Sequence, residues 1–373
     1  MRIAILGSRG YPSTYGGFET LVRHLAPHLA EAGHNVAVYA RETAAGAADR
    51  RVEVIRTAGW ESKSFSTLTY GATAALHAAV RRPPDAALIL NVANGFFLPA
   101  LAARGIRTVV NVDGLEWDRD KWSRAGKAVF RAGARMTARY GDTLVYDSRA
   151  IRTHWRDAWG RDGEFIPYGA NLPVDASSDR LAEHGLAEDS FLLVVARLVP
   201  ENNIALILDA HKASGTELPL VVVGSGTYDD ALQHRLANTA GTGRVRWFGH
   251  VSDQELLGQL WAHCRLYLHG HSVGGTNPGL LQAMAHGAAI QALDTVYNRE
   301  VLLDDDFLFP ADAGRLASKL RGLVGDAQRR QELRERALRR VKAAYGWAEV
   351  LDRYEEVLVR STEQRKGEHA RLW

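Results

Sequence analysis

The sequence predicts an α/β protein made of two doubly wound parallel-sheet domains. At 373 residues the chain is too long for one ordinary hydrophobic core and suits two domains of about 150 to 200 residues each. Short apolar strands alternate with helical patterns, which is typical of a parallel sheet with helices on both faces. The alternation restarts at Phe191, after a stretch that bears Pro167 and Gly169, so we predict a second sheet.

The first domain, residues 1–170, opens with the strand Ile3–Leu6, a glycine-bearing loop and a helix from about Phe18. Gly16 and Gly17 put backbone without side chains at the helix start, where a phosphate or a sugar can approach closely. An ordinary structural turn is the alternative. Further strands are predicted at Asn35–Tyr39, Val52–Ile55, Ala87–Leu90, Thr108–Val112, Thr143–Tyr146 and Glu164–Ile166.

Two carboxylates follow the strand that ends at Val112. Asp113 and Glu116 come beyond the carboxyl end of this strand, which is where ligands bind in open α/β sheets. Either side chain could orient or deprotonate the hydroxyl group of an acceptor. Capping of a helix is the alternative role for Asp113.

A basic amphipathic helix is predicted over residues 121–140. Lys127, Arg131, Arg135 and Arg139 recur at four-residue spacing, so their cations share one helical face. Such a face suits an anionic membrane surface or a phosphorylated acceptor, and a simply solvated face is the alternative. The apolar positions of this helix are predicted at Trp122, Ala125, Val129, Ala132 and Met136.

The second domain, residues 171–345, carries a turn of interest after each of several strands. Arg197 offers a guanidinium that can take phosphate oxygens bidentately. Gly224 lets a ligand approach the backbone closely, and the ring of Phe248 could pack against a nucleotide base. Each of these turns is ordinary when taken alone. Together with Gly274 and Gly275 they form a set of backbone donors with one arginine, which suits a nucleotide diphosphate. The strands are predicted at Phe191–Ala196, Leu220–Val223, Arg244–Phe248, Arg265–Leu268 and Ala288–Ile290.

A helix start follows the glycine pair of the second domain. Thr276 or Asn277 is expected to cap a helix whose first turn contains Pro278. Free N–H groups and the positive end of the helix dipole stabilise an anionic ligand at such a terminus. A terminal helix, residues 346–373, is expected to return to the first domain.

Composition and charge narrow the class of protein. The net charge is +3, with 23 basic against 16 acidic residues in 1–170 and 23 against 27 in the rest. The chain lacks a membrane-spanning apolar run and a nucleic-acid-binding motif, and its N-terminus does not resemble a signal peptide. We therefore expect a cytoplasmic protein without a nucleic-acid partner, in which the single cysteine, Cys264, is a buried thiol.

Taken together, these motifs resemble the retaining nucleotide-sugar glycosyltransferases of family 4, and specifically their rhamnosyltransferase-like subgroup. The resemblance implies a GT-B fold, in which two Rossmann-like domains face each other across a cleft, with the acceptor on the first and the sugar donor on the second. It also implies metal-independent transfer with retention at the anomeric carbon, and no cofactor. The matching motifs are GSRGYP (7–12), GGFE (16–19), DGLEW (113–117), YGA (168–170), ARLVPENN (196–203) and HGHSVGGTNP (269–278).

Three positions differ from the usual pattern of family 4. Gly274 and Gln282 stand where two glutamates usually surround the sugar donor, and Asn202 stands where a lysine usually assists the phosphate-binding arginine. The glycine is normal for the subgroup. Gln282 lacks the charge with which a carboxylate grips ribose hydroxyls. A deoxyribose-containing donor such as a dTDP-sugar is one hypothesis, and a weakened or specialised enzyme is another.

We therefore predict transfer of a hexosyl or rhamnose-like deoxyhexosyl unit from a nucleotide-diphosphate sugar to a hydroxyl of a saccharide, lipid-linked or small-molecule acceptor. The enzyme would contact the inner face of the membrane through helix 121–140. The alternatives are a nucleotide-sugar epimerase or hydrolase and a non-catalytic nucleotide-sugar-binding protein. The expected catalytic residues are Asp113, Glu116 and Arg197. The expected donor-binding residues are Gly16, Gly17, Arg197, Asn202, Gly224, Phe248, His271, Gly274, Gly275, Thr276, Asn277 and Gln282.

Overall fold

The structure is a computed structural model that describes residues 1–12, 16–43, 49–60, 66–120, 122–173, 177–226, 230–240 and 243–370. The chain forms two compact units. The first comprises residues 1–118 and 122–168 with the chain from Trp347 onward. The second comprises Gly169–Gly346 and also takes in Arg119 and Asp120, although these two residues lie between segments of the first unit in the sequence.

The first unit contains a seven-stranded parallel sheet in the order β5-β3-β1-β6-β7-β8-β9, while β2 and β4 pair separately. Its strands are β1 (Arg2–Leu6), β2 (Gly10–Tyr11), β3 (Asn35–Ala40), β4 (Glu42–Thr43), β5 (Val52–Arg56), β6 (Ala86–Leu90), β7 (Arg107–Asn111), β8 (Thr143–Tyr146) and β9 (Glu164–Phe165). The side chains of β1, β6 and β7 are almost all buried, as continuous apolar runs predict for strands covered on both faces.

Two helices of the first unit begin after a serine that caps them. Ser123 Oγ accepts the N–H of Gly126 at 3.2 Å, and Ser148 Oγ accepts the N–H of Ala150 at 3.1 Å, so each serine caps the helix that follows it. The helices are α1 (Gly17–Glu31), α2 (Ser66–Val80), α3 (Leu98–Ala103), α4 (Arg124–Tyr140) and α5 (Arg149–Trp159).

The second unit contains a six-stranded parallel sheet in the order β12-β11-β10-β13-β14-β15. Its strands are β10 (Leu192–Val195), β11 (Leu220–Val223), β12 (Val245–Gly249), β13 (Leu266–His269), β14 (Ile290–Leu293) and β15 (Leu308–Phe309). Its helices are α6 (Asp179–Glu183), α7 (Ile204–Ser214), α8 (Asp230–Ala240), α9 (Gln254–His263), α10 (Pro278–Ala285), α11 (Val296–Leu302), α12 (Ala313–Gly325) and α13 (Ala327–Ala344).

The apolar strands of the second sheet form the core of their unit. Leu192, Val222 and Leu268 are fully buried, and α7 packs against α12 at the edge of the same cluster. Cys264 is also fully buried, and burial raises the pKa of its thiol to about 12. The prediction of a buried thiol is therefore confirmed.

The last helix, α14 (Trp347–Ala370), belongs to the first unit, where it packs against α1, β6 and β7. Glu355 bridges two histidines of that unit, with its carboxylate 3.0 Å from His28 Nε2 and 3.1 Å from His34 Nε2. Tyr354 Oη accepts a hydrogen bond of 2.7 Å from Asn111 Nδ2 at the end of β7. These contacts attach the C-terminal helix to the centre of the first sheet.

The amphipathic pattern of α4 differs from the predicted one. Its buried stripe consists of Phe130, Gly133, Ala134 and Thr137, which pack against the 3₁₀ helix Val92–Phe97. Gly133 lies so close that a Cβ would be 2.6 Å from the carbonyl oxygen of Val92. The positions predicted to be apolar are partly or fully exposed, because glycine and alanine supply the close packing. Arg131, Arg135 and Arg139 are exposed.

Both sheets have the doubly wound strand order that the alternation predicts. The order reverses between β1 and β6 in the first sheet and between β10 and β13 in the second. Open parallel sheets bind ligands outside the carboxyl ends of their strands at such reversals. Within the residues that the structure covers, no helix is both long enough and apolar enough to span a bilayer.

Candidate functional site

Arg197 lies at the reversal point of the second sheet. It follows β10 by two residues and its side chain is exposed. Its guanidinium makes no hydrogen bond or ion pair with any described residue. An exposed guanidinium beyond the carboxyl end of a central strand can take two phosphate oxygens at once.

Asn202 and Asn203 connect the loop after β10 to the loop after β13. The amide of Asn202 donates from Nδ2 to the carbonyl of Arg197 at 2.7 Å, and its Oδ1 is 2.7 Å from His271 Nδ1. Asn203 Nδ2 donates to the carbonyl of Gly270 at 2.8 Å. Both ends of the buried Asn202 amide are therefore used within the protein, and this side chain orders the two loops.

The helix α10 is capped by Asn277, as the start signal predicted. Asn277 Oδ1 accepts the N–H of Gly279 at 2.8 Å and that of Leu280 at 3.4 Å. Pro278 has no N–H group, so the first turn leaves few amides for a ligand. Thr276, the other predicted cap, is buried beside it.

The amides that can still bind a ligand lie before this cap. Gly274 and Gly275 are buried, and their N–H groups make no hydrogen bond with the described part of the chain. Buried N–H groups are almost always paired in folded proteins, so these two mark a place for a ligand. They precede the positive end of the α10 dipole, which favours a ligand with negative charge.

Three further residues of the predicted donor site, Gly224, Phe248 and Gln282, lie in different surroundings. A Cβ on Gly224 would lie 1.9 Å from the carbonyl oxygen of Ala196, so this glycine lets two loops approach each other. The ring of Phe248, on the edge strand β12, lies 5.2 Å from that of His184. Gln282 is half-buried on α10. The space that the missing side chain of Gly224 leaves is therefore taken up by the protein's own backbone at Ala196.

Asp113 has an unusual backbone conformation in the first unit. Its φ of 62° lies in the left-handed region, and its N–H donates to Asn111 Oδ1 at 2.9 Å. Asn111 also holds Tyr354, so the turn after β7 is fixed from two sides. The half-buried Asp113 carboxylate follows the strand at the edge where ligands bind, and strained backbone is concentrated at functional sites.

Glu116, the second predicted carboxylate, has a structural contact. Its side chain is buried, and its Oε2 accepts a 2.9 Å hydrogen bond from Trp122 Nε1. The Trp122 ring packs against Phe130 of α4 at 4.9 Å. Glu116 therefore attaches the loop after β7 to α4.

The start of α1 is occupied by a carboxylate. Glu19 is buried and accepts the N–H of Arg9 at 2.9 Å. A Cβ on Gly16 would lie 2.3 Å from Glu19 Oε2, so Gly16 makes room for this carboxylate ahead of Gly17. A negative charge at this position opposes a phosphate and suits the hydroxyl groups of a sugar.

Tyr168 lies among the carboxylates of the first unit. Burial, together with the negative charges of Asp113, Asp147 and Glu19, raises the pKa of Tyr168 well above its usual value. Its phenol is therefore a neutral hydroxyl at physiological pH. Asp147 directly follows β8, which is the same signal that identified Asp113, yet sequence reasoning missed it.

Sequence reasoning also missed two charged residues of the second unit. Arg119 and Glu201 are both buried, with Arg119 Nη1 4.0 Å from Glu201 Oε1. Glu201 stands in the motif ARLVPENN and Arg119 two residues after the motif DGLEW, and burial of a charged side chain leaves no local sequence signal. In the described part of the chain, no three His, Cys, Asp or Glu side chains form a group that could hold a metal ion.

Two parts of the chain are similar to known protein families. Residues 16–169 match the family described as Glycosyl transferase 4-like domain, and residues 179–340 match the family described as Glycosyl transferases group 1. Phosphatidyl-myo-inositol mannosyltransferase of Mycolicibacterium smegmatis is 29% identical over 221 residues. That match covers 56% of this chain and 55% of the relative, so it spans about half the length of each.

Two solved structures illustrate the fold. Sucrose-phosphate synthase from Thermosynechococcus elongatus superposes with a TM-score of 0.81 at 19% identity, covering 96% of this chain and 98% of that one. Anabaena HepE in complex with UDP-glucose superposes with a TM-score of 0.76 at 17% identity, covering 96% and 100%. The predicted GT-B fold is confirmed, and each of the two units contains a stretch that is similar to a glycosyl transferase family.

Proposed function

We propose that this protein is a glycosyltransferase that moves a hexosyl or rhamnose-like deoxyhexosyl unit from a nucleotide-diphosphate sugar to an acceptor hydroxyl, with retention and without a metal. The main support is a group of three residues at the reversal point of the second sheet. Arg197 is exposed there, and the buried N–H groups of Gly274 and Gly275 have no hydrogen-bond partner among the residues that the structure describes. A guanidinium, oriented amides and a helix dipole together suit a diphosphate.

The names of the similar proteins support a nucleotide-sugar donor. The Mycolicibacterium relative is a mannosyltransferase, and the HepE structure contains UDP-glucose. Both domain families matched by this chain are glycosyltransferase families. The donor nucleotide is accordingly assigned to the second unit, where the cationic and amide groups lie, and the acceptor to the first.

In the proposed reaction, the bond between the anomeric carbon and the β-phosphate oxygen breaks, and its electron pair stays on that oxygen. Arg197 and the amides of Gly274 and Gly275 stabilise the negative charge that develops there. The acceptor oxygen forms its bond on the face that the diphosphate leaves, and its proton passes to the departing phosphate oxygen. The anomeric configuration is therefore retained.

Asp113 is proposed to orient the acceptor hydroxyl. It is half-buried, it lies beyond the carboxyl end of β7, and Asn111 holds it in one backbone conformation. A fixed carboxylate that accepts the hydroxyl proton in a hydrogen bond holds the attacking oxygen in place. The neutral phenol of Tyr168 and the carboxylates of Glu19 and Asp147 supply further partners for sugar hydroxyls.

A membrane-bound acceptor is proposed on the basis of α4. The apolar stripe of this helix is used inside the first unit, and Arg124, Arg131 and Arg135 are exposed without an ion pair to any described residue. Contact with an anionic inner membrane face would therefore be electrostatic. The name of the Mycolicibacterium relative, which contains phosphatidyl-myo-inositol, agrees with a lipid acceptor.

The membrane contact can be tested by vesicle sedimentation with phosphatidylglycerol-containing and pure phosphatidylcholine vesicles. Charge reversal at Arg131 and Arg135 should remove binding to the anionic vesicles, while reversal of the exposed Arg315 and Lys342 in the second unit should leave it unchanged. Equal binding by both double variants would contradict the role of α4.

The proposed function is tested by thermal unfolding with UDP, dTDP, GDP, ADP and CDP, each with and without EDTA. A ligand that binds the folded state raises the melting temperature, so we expect a rise with one or two of them that EDTA does not change. The matching sugar nucleotide, incubated without acceptor, then separates transfer from hydrolysis or epimerisation. No rise with any nucleotide would contradict the proposal.

A further inference from the structure

A tyrosine of the C-terminal helix reaches the turn that contains Asp113. Tyr354 and Asn111 are each 1% exposed, and Asn111 Nδ2 donates a hydrogen bond of 2.7 Å to Tyr354 Oη. The other end of the same amide, Oδ1, accepts the backbone N–H of Asp113 at 2.9 Å. One buried amide therefore connects α14 with the residue that is proposed to orient the acceptor.

The direction of the Asn111 amide follows from what its two neighbours can do. The backbone N–H of Asp113 can only donate, so Oδ1 must face it and Nδ2 must face Tyr354. A phenol oxygen accepts from this amide, whereas a phenylalanine ring in its place offers no acceptor. Nδ2 would then be a buried donor that has lost its partner, which is unfavourable inside a protein. An amide that rotates to recover a partner gives up its bond to Asp113.

The hydrogen bond between Asp113 and Asn111 supports a backbone conformation that is unfavourable by itself. A side-chain oxygen of asparagine that accepts the N–H two residues further along forms an Asx turn. Asp113 has a φ of 62°, in the left-handed region that residues with a side chain seldom adopt. The direction in which the Asp113 carboxylate leaves the backbone therefore depends on the Asn111 amide.

The helix that contains Tyr354 is held by contacts other than this hydroxyl group. Val350 and Leu358 lie one turn before and one turn after Tyr354 on the same face of α14, and both are buried. The neighbouring Glu355 bridges two histidines of the first unit. Removal of one hydroxyl group leaves these contacts in place, so the phenol is a fixed point against which the turn is held.

We propose that Tyr354 is a positioning residue for the acceptor, which acts through Asn111 on Asp113. The inference rests on the proposed function, in which Asp113 orients the acceptor hydroxyl. It extends that function to the C-terminal helix, whose phenol controls how accurately the acceptor is placed and not how tightly the sugar donor binds.

The experiment compares two variants that each remove one buried phenol hydroxyl from the first unit. Tyr354→Phe removes the acceptor of the Asn111 amide. Tyr39→Phe is the matched control, because Tyr39 is 2% exposed and its Oη lies 3.1 Å from Nδ1 of His77 on α2. Transfer is measured from UDP-glucose, dTDP-rhamnose and GDP-mannose to octyl glucoside, octyl mannoside and phosphatidylinositol. Hydrogen–deuterium exchange of peptides over residues 111–118 reports on the turn without any acceptor.

We expect Tyr354→Phe to lower kcat for transfer about tenfold, since a misplaced acceptor oxygen slows the reaction, and to leave the affinity for the sugar donor unchanged. Exchange over residues 111–118 should become faster in this variant and stay unchanged in Tyr39→Phe. In the Asp113→Asn background, Tyr354→Phe should lower kcat by less than about twofold more, because the phenol acts only through Asp113.

Equal losses of kcat in Tyr354→Phe and Tyr39→Phe would overturn the inference, because the effect would then come from a general loosening of the unit. Effects of Tyr354→Phe and Asp113→Asn that multiply in the double variant would overturn it as well, and so would unchanged exchange over residues 111–118. Absence of transfer by the unaltered protein to every acceptor probe would instead contradict the proposed function, and the inference with it.

Discussion

The two sheets have the same strand order, but the residues beyond the carboxyl ends of their strands differ in charge. In the first unit the carboxylates of Glu19, Asp113 and Asp147 surround the buried Tyr168. In the second unit an exposed arginine lies at the corresponding reversal of strand order, with two backbone amides that have no hydrogen-bond partner in the described part of the chain. The fold therefore supplies two equivalent positions, and we propose that differences between the loops make one suitable for hydroxyl groups and the other for a diphosphate.

The largest effect on activity is expected from removing the exposed arginine beyond the strands of the second sheet. Arg197→Gln should lower kcat/KM by roughly 10²- to 10³-fold, because the guanidinium is proposed to stabilise the charge on the leaving diphosphate. The nucleotide should also bind more weakly, as titration calorimetry will measure. Arg315→Gln, at an exposed arginine of the same unit, is the matched control and should behave like the unaltered protein. Equal behaviour of the two variants would contradict the role of Arg197.

The second prediction concerns a variant that lacks one carboxylate beyond the strands of the first sheet. Asp113→Asn should lower kcat for transfer roughly 10²-fold, since a misplaced acceptor oxygen costs about that much, and should leave the affinity for the nucleotide sugar unchanged. Asp118→Asn, at an exposed carboxylate five residues along the same loop, is the control. Steady-state kinetics with varied acceptor, together with calorimetry on the sugar donor, separates the two roles. A fall in the affinity for the sugar donor would contradict the proposed role of Asp113 in orienting the acceptor.

A smaller effect is expected at Gln282 of the second edge. If the donor contains deoxyribose, the unaltered protein binds dTDP at least as tightly as UDP. Gln282→Glu should then raise the affinity for UDP relative to dTDP by about three- to tenfold, because a carboxylate makes stronger hydrogen bonds to a ribose hydroxyl. Competition between the two nucleotides measures the ratio. Clearly tighter binding of UDP by the unaltered protein would contradict the deoxyribose hypothesis.

The smallest effect concerns the pH dependence of stability, to which a buried histidine of each unit contributes. Burial, with Arg23 nearby, lowers the pKa of His24 to about 4, and burial lowers that of His269 to about 3. The unfolded chain takes up these protons near pH 6.5, so stability is full above that pH and falls as the pH decreases toward 4.

His24→Phe keeps a ring against Trp347, whose ring lies 4.3 Å from that of His24, and removes the titrating group. It should make the decline shallower by up to about 1.4 kcal/mol per pH unit. Urea unfolding at pH 7.5, 5.5 and 4.5 measures the slopes. A slope identical to that of the unaltered protein would show that His24 is protonated in the folded state.

The sequence by itself determined the features that depend on short-range order. The strand alternation predicted both doubly wound sheets, and the pattern of Asn277 and Pro278 predicted the start of α10. The sequence also predicted a terminal helix over residues 346–373, and α14 begins at Trp347. Periodicity and capping involve residues within one or two turns of each other, so they can be deduced without the fold.

Only the tertiary structure decided which polar residues face a ligand and which hold the protein together. Glu116 holds Trp122, Asn202 holds His271, and Gly224 makes room for a neighbouring loop. Arg119 is buried beside Gly274, 155 positions away in the chain. Burial and the direction of a side chain depend on contacts between distant segments, for which the local pattern of residues contains no signal.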